Sequence, residues 1–498
     1  MILRIAALNN APFEWIQHEP IGTVEGLSTG QLYAIRDTKT PLPPLAGLFT
    51  DLQLVALEFT DAVTRTDGLS ALASSLDGDT ARKFTIDLGK KYKQELKKWL
   101  EANGNAAGDQ AINNAAEDLY AEASLVVSTY NMVSRFLVST DVQGLTGTGV
   151  PWPLERHELD ISVPSFSPPS SVTHTIHTVV FKHRQKEGDP EPEWIVFANS
   201  LLTSLEMWSY IVPHFLDGSS TRKYNLILHD QRGHGRSGLP PSLEEGDDKR
   251  QTTIPLLARD VRSLLLSREI RTLIDGSPAS EALKPVKAVV GVSQGGAAAL
   301  ALATLQPSEH RKVQSIIACD TSAKTAPGNK GAWAERVRLV YGAEGSSDTI
   351  GDVSSLSKGN AYARKVGMGD LADVTVSRWF PTGSPLPPSR RAFIERMVEQ
   401  TDVEGFVAGA QALGDFDLLP VLYSSLGEHG AERALLLAGS LDGAGKVGAG
   451  LQRLKGDWGD KGGVGKVEYR EVEGSGHLPM VDRPEVWAES VIAWLETF

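Results

Sequence analysis

The stretch Val289-Val290-Gly291-Val292-Ser293-Gln294-Gly295-Gly296 decides the fold predicted for this chain. The β-branched residues at its start predict a buried strand, and the alanine-rich residues 297–303 that follow it predict a helix. Between them stands Gly-x-Ser-x-Gly, in which the glycines remove the Cβ atoms that would clash in a tight turn. The bare pattern also occurs by chance, but this strand and helix flank it. We therefore predict that the Ser293 hydroxyl is a nucleophile exposed at the end of a strand.

The bulk composition limits the classes of protein to which the chain can belong. A length of 498 residues predicts two or three domains, and 41% hydrophobic with 22% charged residues is typical of a globular protein. The net charge of −13 disfavours nucleic acid and anionic membranes as partners. The single cysteine, Cys319, excludes a disulfide framework and a cysteine-based metal site within the chain.

Neither a membrane span nor an export signal is predicted. The sequence lacks a run of about 18 apolar residues, and its start lacks the cleavage pattern of a signal peptide. We expect a cytoplasmic enzyme with a small-molecule substrate and without metal or cofactor.

Three regions follow one another along the chain. Residues 1–145 predict an all-α domain, in which residues 121–138 form a buried helix. Residues 146–171 are rich in proline and serine and predict a linker or an extended chain on a surface. Residues 172–498 alternate between apolar runs and helical stretches, which predicts an α/β domain with a mostly parallel sheet and helices on both faces.

Seven apolar runs of this last region predict its strands: residues 175–182, 195–198, 226–229, 288–290, 316–319, 435–438 and 467–472. The interval between Cys319 and Leu435 exceeds any simple loop. We predict a helical cap there, at about residues 321–430.

A serine nucleophile needs a histidine base, which in turn needs a carboxylate to orient it. In a strand-turn-helix site of this kind the chain order is serine, acid, histidine. Asp442 follows a late apolar strand, and His477 stands in a glycine-flanked loop after the last strand. A turn or helix cap is the alternative role of Asp442, with Asp320 and Asp417 as competitors, and a surface loop is the alternative for His477.

Two further loops are predicted to lie beside Ser293. The backbone N–H of Gln294 is one candidate donor to an oxyanion, and the N–H of Leu201, or alternatively of Ser200, is the other. The polar loop of residues 230–237 is open to either a structural or a catalytic role. We expect His229 and His234, which lie closer to the early strand, to have a structural role.

Residues 194–498 resemble the α/β-hydrolase superfamily, and within it the 3-oxoadipate enol-lactonases. The stretches that carry the resemblance are Asn199-Ser200-Leu201, Asp230-Gln231-Arg232-Gly233-His234-Gly235, Gly291 to Gly296, Asp320-Thr321-Ser322-Ala323, Trp333-Ala334-Glu335-Arg336-Val337, Arg378-Trp379-Phe380 and Glu404-Gly405-Phe406. An epoxide hydrolase or a dehalogenase would need an aspartate in place of Ser293. Leu202 and Gln294 depart from the family pattern, which usually has glycine and methionine there.

This resemblance implies an α/β hydrolase fold and a substrate that is a lactone bearing a carboxylate. Arg336 or Arg378 of the cap would bind that carboxylate, with Trp333 and Trp379 beside them. Salt bridges within the cap are the alternative role of each arginine.

Residues 2–30 and 49–142 resemble the carboxymuconolactone decarboxylase family, which is related to alkylhydroperoxidase D. The matching stretches are Leu3-Arg4-Ile5-Ala6-Ala7-Leu8, Phe13-Glu14-Trp15-Ile16-Gln17-His18 and Tyr130-Asn131-Met132-Val133-Ser134-Arg135-Phe136. The domain has no cysteine, which excludes the disulfide chemistry of the peroxidases. Glu14 and His18 form a second candidate site as a proton-relay pair. A degenerate scaffold that supports assembly is the alternative, and the resemblance implies a homo-oligomer through this domain.

Three functional hypotheses follow from these patterns. The first is a serine hydrolase that opens a lactone, coupled to decarboxylation of a carboxymuconolactone, whose product would be that lactone. The second is a hydrolase of a secondary-metabolite lactone or ester whose N-terminal domain is not catalytic. The third is a lyase whose main activity is the decarboxylation.

Overall fold

The computed structural model divides the described chain into two compact units. Residues 1–42, 47–65, 78–103, 108–166, 171–185, 188–218, 222–240, 252–305, 311–342, 363–426, 431–461 and 466–498 are described. The first unit comprises Met1–Leu154, Val212–Asp217 and Pro388–Phe393. The second comprises Glu155–Ile211, Gly218–Pro387 and Ile394–Phe498. The domain boundaries given above stay a prediction.

The first unit is helical. Its helices are α1 (Ile2–Leu8), α2 (Pro12–Val24), α3 (Thr29–Arg36), α4 (Asp51–Thr64), α5 (Gly78–Ala102), α6 (Asp109–Ser139) and α7 (Val212–Asp217). Thr50 and Gln53 form a reciprocal capping box at the start of α4, which satisfies two backbone donors there. The guanidinium of Arg4, which is buried, donates to both carboxylate oxygens of Asp61, at 2.6 and 2.7 Å.

Helix α6 is amphipathic, so the prediction of a buried helix over residues 121–138 is wrong for one of its faces. It packs on α1, α4 and α5 through residues such as Val127 and Asn131, which are buried. Leu125, Met132 and Phe136 lie on the opposite side and are 62–68% exposed. A helix can bury only the stripe that faces its neighbours, and a run of apolar residues by itself does not reveal which stripe that is.

The second unit is built on one eight-stranded sheet in the order β1-β2-β4-β3-β5-β6-β7-β8. Its strands are β1 (Glu155–Pro164), β2 (Thr173–Lys182), β3 (Glu193–Ala198), β4 (Tyr224–His229), β5 (Val286–Val292), β6 (Val313–Cys319), β7 (Arg433–Gly439) and β8 (Lys466–Val472). The pairs β1–β2 and β2–β4 are antiparallel, and all the other pairs are parallel. Every residue of β5 is buried, which requires cover on both faces of the sheet.

Strand β1 lies inside residues 146–171, which the sequence predicted as a linker or an extended surface chain. The neighbouring prolines hid its alternating pattern, in which Ile161 and Val163 are buried while Asp160 and Ser162 are exposed. Pro164 ends the strand, and the sheet tolerates it because β1 lies at the edge and pairs only with β2.

Helices occupy most of the remaining described residues of the chain, and several lie between β6 and β7. They are α8 (Ile254–Leu266), α9 (Arg268–Asp275), α10 (Gln294–Ala303), α11 (Asn329–Tyr341), α12 (Met368–Trp379), α13 (Pro388–Glu399), α14 (Val403–Gly414), α15 (Leu419–Leu422), α16 (Lys446–Lys461), α17 (Pro479–Asp482) and α18 (Pro484–Leu495). The mostly parallel sheet confirms the predicted α/β hydrolase fold. The helical N-terminal region is consistent with the predicted all-α domain. None of the described helices combines the length and the apolar character that a membrane crossing requires.

Candidate active site

Ser293 occupies the turn between β5 and α10. Its φ of 54° and ψ of −116° are unusual for a residue with a side chain, and such strain persists only where the surroundings enforce it. A Cβ on Gly295 would lie 2.2 Å from the Ala198 carbonyl oxygen at the end of β3, so only glycine fits there. The Ser293 N–H donates to the Cys319 carbonyl at 2.8 Å, which attaches the turn to the end of β6. The sequence therefore predicted this turn correctly.

His477 and Asp442 meet at the same edge of the sheet, after β8 and β7. The Nδ1 atom of His477 lies 2.7 Å from Oδ2 of Asp442. Because a carboxylate accepts, Nδ1 carries the proton and Nε2 is left as the basic nitrogen. Although burial alone would raise the pKa of Asp442, His477 holds it below its usual value. Within the described residues the Ser293 hydroxyl has no hydrogen-bond partner, so the structure joins the acid to the base but not the base to the serine.

The two competitors for the role of Asp442 have other partners. Asp417 accepts a hydrogen bond from the Leu419 N–H at 2.9 Å, at the start of α15. Asp320 follows β6 directly and is buried, and its carboxyl lies within 4.8 Å of that of Asp442. On the sequence alone Asp320 is an alternative to Asp442 for the acid that orients the histidine, whereas the structure places the two carboxyls together.

Asp320, Asp442 and His477 are the one group of described residues with the atoms and the spacing to hold a metal ion. The candidate atoms lie within 4.8 Å of one another. The Asp442–His477 hydrogen bond, together with the bonds that Asp320 accepts from the Gly439 N–H and the Cys319 thiol, explains this closeness. We therefore treat the group as a hydrogen-bonded network.

Of the predicted oxyanion donors, Gln294 follows Ser293 directly in the chain, and the side chain of Leu201 lies near that of Gln294. The Gln294 N–H is in the first turn of α10, where backbone donors have no partner within the helix. The side chains of Gln294 and Leu201 both face Gly409 of α14, because the Gln294 amide donates to the Gly409 carbonyl at 2.7 Å and a Cβ on Gly409 would meet Leu201. The backbone N–H groups of Gln294 and Leu201 lack a hydrogen-bond partner among the described residues, and Ser200 is buried next to them. The predicted donors are therefore available to a ligand.

The loop of residues 230–237 is held by contacts within itself and with neighbouring segments. Asp230 accepts from the N–H groups of Leu205 and Arg236 at 2.6 and 2.8 Å. Arg232 forms a buried double hydrogen bond with Asp260 at 2.6 and 2.7 Å. Burial lowers the pKa of both His229 and His234 to about 4, so both rings are neutral at physiological pH. These contacts favour the structural role for the loop and for both histidines.

The four predicted substrate-binding residues of the cap, Trp333, Arg336, Arg378 and Trp379, come together next to the Asp442–His477 pair. The Arg336 and Arg378 guanidinium groups lie 4.8 and 5.9 Å from the Trp333 ring centre. The Trp379 ring stacks on the His477 ring at 5.8 Å, and its carbonyl accepts the His477 N–H at 2.8 Å.

The two arginines carry charge that is not paired with a carboxylate among the described residues. No carboxylate of the described residues lies within salt-bridge distance of either guanidinium, which is contrary to the alternative of salt bridges within the cap. Desolvation, followed by the charge of Arg336, lowers the pKa of Arg378 to about 10, against the charge of Asp442, which raises it. Arg378 is nevertheless solvent-accessible. An accessible pair of like charges is suited to an anion.

The second candidate site, in the helical unit, is more extensive than the predicted pair. The Ser134 hydroxyl donates to Oε2 of Glu14 at 2.7 Å, and Oε1 of Glu14 is buried without a partner among the described residues. The Nδ1 atom of His18 lies 2.8 Å from the Glu14 carbonyl oxygen, and Nε2 lies 3.3 Å from the Tyr130 hydroxyl. The side chains of Glu14 and His18 therefore bond to other groups and not to each other, whereas a direct relay would require a hydrogen bond between them. Burial raises the pKa of Glu14 to about 7.

Comparisons with known proteins match the second unit. A family model described as the alpha/beta hydrolase family matches residues 195–490. A protein named 3-oxoadipate enol-lactonase 2, from Acinetobacter baylyi, is 26% identical over 238 residues, which are 47% of this chain and 68% of that protein.

Two solved structures are similar to this chain over about two thirds of its length. An enol-lactonase from Burkholderia xenovorans LB400 is 22% identical with a TM-score of 0.46, covering 65% of this chain and 97% of its own. A thermophilic esterase from Thermogutta terrifontis is 17% identical with a TM-score of 0.46, covering 68% of this chain and 98% of its own. The residues that the family model matches, 195–490, include Ser293, Asp442 and His477.

Proposed function

The chain belongs to the alpha/beta hydrolase family, and from this premise we propose that it is a serine hydrolase that opens a lactone. Ser293 is the nucleophile, His477 the general base and Asp442 the residue that orients the histidine. The 2.7 Å hydrogen bond between Asp442 and His477, at the sheet edge where Ser293 sits on its strained turn, carries the proposal.

The reaction proceeds by acyl transfer. His477 accepts the Ser293 proton as the hydroxyl oxygen attacks the lactone carbonyl, and Asp442 stabilises the imidazolium. The N–H groups of Gln294 and Leu201 (or Ser200) donate to the oxyanion. The ring C–O bond then breaks, and the ring oxygen leaves with the proton from His477. Water activated by His477 hydrolyses the acyl-enzyme and releases the carboxylic acid and Ser293.

Within the lactones, the cap favours a substrate that carries a carboxylate. Arg336 and Arg378 offer two positive charges without a described carboxylate partner, and the ring of Trp333 lies under both. This agrees with the name of the Acinetobacter relative, 3-oxoadipate enol-lactonase 2. With an enol-lactone the leaving oxygen would be an enol, which tautomerises to a ketone. Leu202, with a φ of 67°, and Gln294 differ from that family, which keeps a secondary-metabolite lactone or ester as the alternative substrate.

A hydrolysis screen tests the proposal. Wild type and Ser293→Ala are assayed against enol-lactones, macrolactones and aryl esters, with and without a carboxylate. The proposal requires hydrolysis by wild type that the variant loses, and preference for one class identifies the substrate.

We propose a decarboxylase activity in the helical unit as a second function, because a specific observation favours it. Glu14 combines an unpartnered buried oxygen with a pKa of about 7, which suits a general acid or base at neutral pH. His18 and Tyr130 form a second proton-carrying pair beside it. Decarboxylation of a carboxymuconolactone there would supply the lactone for Ser293. Homo-oligomerisation through this unit belongs to the same proposal.

Carbon dioxide release from 4-carboxymuconolactone tests the second function. We expect release that survives Ser293→Ala and is lost in Glu14→Gln and His18→Ala, since the two sites use different residues. Wild type that releases no carbon dioxide, or release that depends on Ser293, would contradict a separate site in the helical unit.

Glu14 also predicts a pH dependence of stability. Its pKa is about 7 in the folded chain and near the ordinary 4.5 in the unfolded chain. As the pH rises from 4.5 to 7 the unfolded state releases this proton first, so Glu14 lowers the stability of the fold over that window. Glu14→Gln removes the titration, and we expect it to be more stable than wild type at pH 8 but not at pH 4.5. Hydrogen exchange of α2 in the full chain measures this, with the exposed Glu25→Gln as the control. A difference between wild type and variant that does not change with pH would contradict it.

A further inference from the structure

Asp320 lies against the catalytic pair but takes no part in the steps described above. It follows β6, and its N–H donates to the Leu437 carbonyl of β7 at 2.9 Å. The Gly439 N–H, at the end of β7, donates back to Oδ1 of Asp320 at 2.9 Å. Asp320 has a φ of 45°, a conformation that is costly for a residue with a side chain and is imposed here by these bonds. The Asp320 carboxyl is thus held at the end of β7, three residues before Asp442.

The surroundings of Asp320 and Asp442 differ in charge. The described donors to Asp320 are the Gly439 N–H and the Cys319 thiol at 2.9 Å, and both are neutral. Asp442 instead has the His477 ring and the charge of Arg378. Burial, and then the negative charge of Asp442, raises the pKa of Asp320 well above its usual range. Two carboxyls in hydrogen-bond contact do not both ionise, and the proton stays where no cation competes with it.

We propose that Asp320 is a positioning residue, an un-ionised carboxyl that donates a hydrogen bond to the Asp442 carboxylate and so fixes the oxygen that faces His477. The inference rests on the proposed roles of Ser293, His477 and Asp442. The donated bond has two effects: it holds the orientation of Asp442, and it withdraws charge from Asp442, which makes His477 less basic.

Four other titratable or charged side chains interact with the carboxyls of Asp320 and Asp442. They are Cys319 of β6, Tyr469 of β8, His477 of the loop after β8 and Arg378 of α12. Of these, His477 must change protonation state during the reaction, so its apparent pKa in the rate profile reports the effect of Asp320.

Two substitutions of Asp320 separate the donated hydrogen bond from simple packing. Asp320→Asn keeps a donor towards Asp442 and tolerates the positive φ, and we expect it to retain most of the kcat and the wild-type pH profile. Asp320→Ala removes the donor. A hydrogen bond to a charged group is lost, so we expect kcat to fall about tenfold or more with KM little changed. The acid limb of kcat/KM, which reports deprotonation of His477, should move up by about one unit.

The assay uses p-nitrophenyl acetate and the rate of labelling by a fluorophosphonate, both normalised to the folded fraction. Ser315→Ala is the matched control, because Ser315 is buried on β6 and accepts a hydrogen bond from Trp494 at 2.8 Å. It should lower stability but leave the pH profile unchanged. If Asp320→Ala is too inactive to assay, NMR titration of His477 measures the same shift.

The outcomes are distinguishable. An acid limb that does not move in Asp320→Ala, or an Asp320→Asn as impaired as Asp320→Ala, overturns the role of Asp320 while Ser293→Ala remains inactive. Wild type that hydrolyses no ester or lactone and reacts with no fluorophosphonate overturns the proposed function, and this inference with it.

Discussion

Ser293→Ala is expected to lower the hydrolysis of the preferred lactone by at least about 10⁴-fold. Without the Oγ atom no acyl-enzyme forms, and His477 has no nucleophile to activate. Ser293→Ala/His477→Ala should be no slower than Ser293→Ala alone, because residues that act as one unit do not contribute additively. The measurement is kcat/KM for the single and double variants on the best substrate of the screen.

Two controls separate loss of chemistry from loss of fold in this experiment. Alanine at position 293 must keep the φ of 54°, as serine does, so thermal unfolding of the variant is measured beside its activity. A fluorophosphonate should label wild type and Ser315→Ala once per chain and should leave Ser293→Ala unlabelled. Turnover close to wild type in a folded Ser293→Ala would contradict acyl transfer at this residue.

The parts of the site that the sequence predicted are those set by short segments. The turn at Ser293 needs only the strand before it, the helix after it and two glycines. The loops of Asp442 and His477 each follow a predicted strand. In a parallel sheet the carboxyl ends of the strands meet at one edge, so the loops that follow β5, β7 and β8 lie at the same edge. The edge strand β1 was missed because prolines before and after it dominate the local pattern.

The contacts that could not be predicted join distant parts of the chain. Asp320 and Asp442 lie on either side of the cap in the sequence, and their carboxyls are close because β6 and β7 are neighbours in the sheet. Sequence reasoning saw two aspartates after strands and treated them as alternatives. Likewise, Tyr130 and Ser134 of α6 reach His18 and Glu14 of α2 only through helix packing. Each such partner could be found only once the fold was known.

The cap arginines give the second large effect that we expect. Arg336 and Arg378 repel each other, and Arg378 has a pKa lowered to about 10, so its charged form is less stable in the folded chain than in the unfolded chain. A fold that keeps such a pair without a described carboxylate partner loses stability by it. A substrate carboxylate would relieve that cost on binding. We therefore expect Arg378→Gln to lower kcat/KM for a carboxylate-bearing lactone by about 10²-fold or more.

The methyl ester of the same lactone, together with unfolding measurements, makes this test specific. The neutral ester has no carboxylate to pair, so its kcat/KM should be nearly the same in wild type and Arg378→Gln, and the preference for the acid should collapse. Arg338→Gln on α11, which is exposed and two residues from Arg336, should change neither rate. Because removal of one charge relieves repulsion, Arg378→Gln should be at least as stable as wild type. A destabilised variant that loses both rates equally would assign the arginines to the packing of the cap, and the substrate would then be a neutral lactone or ester.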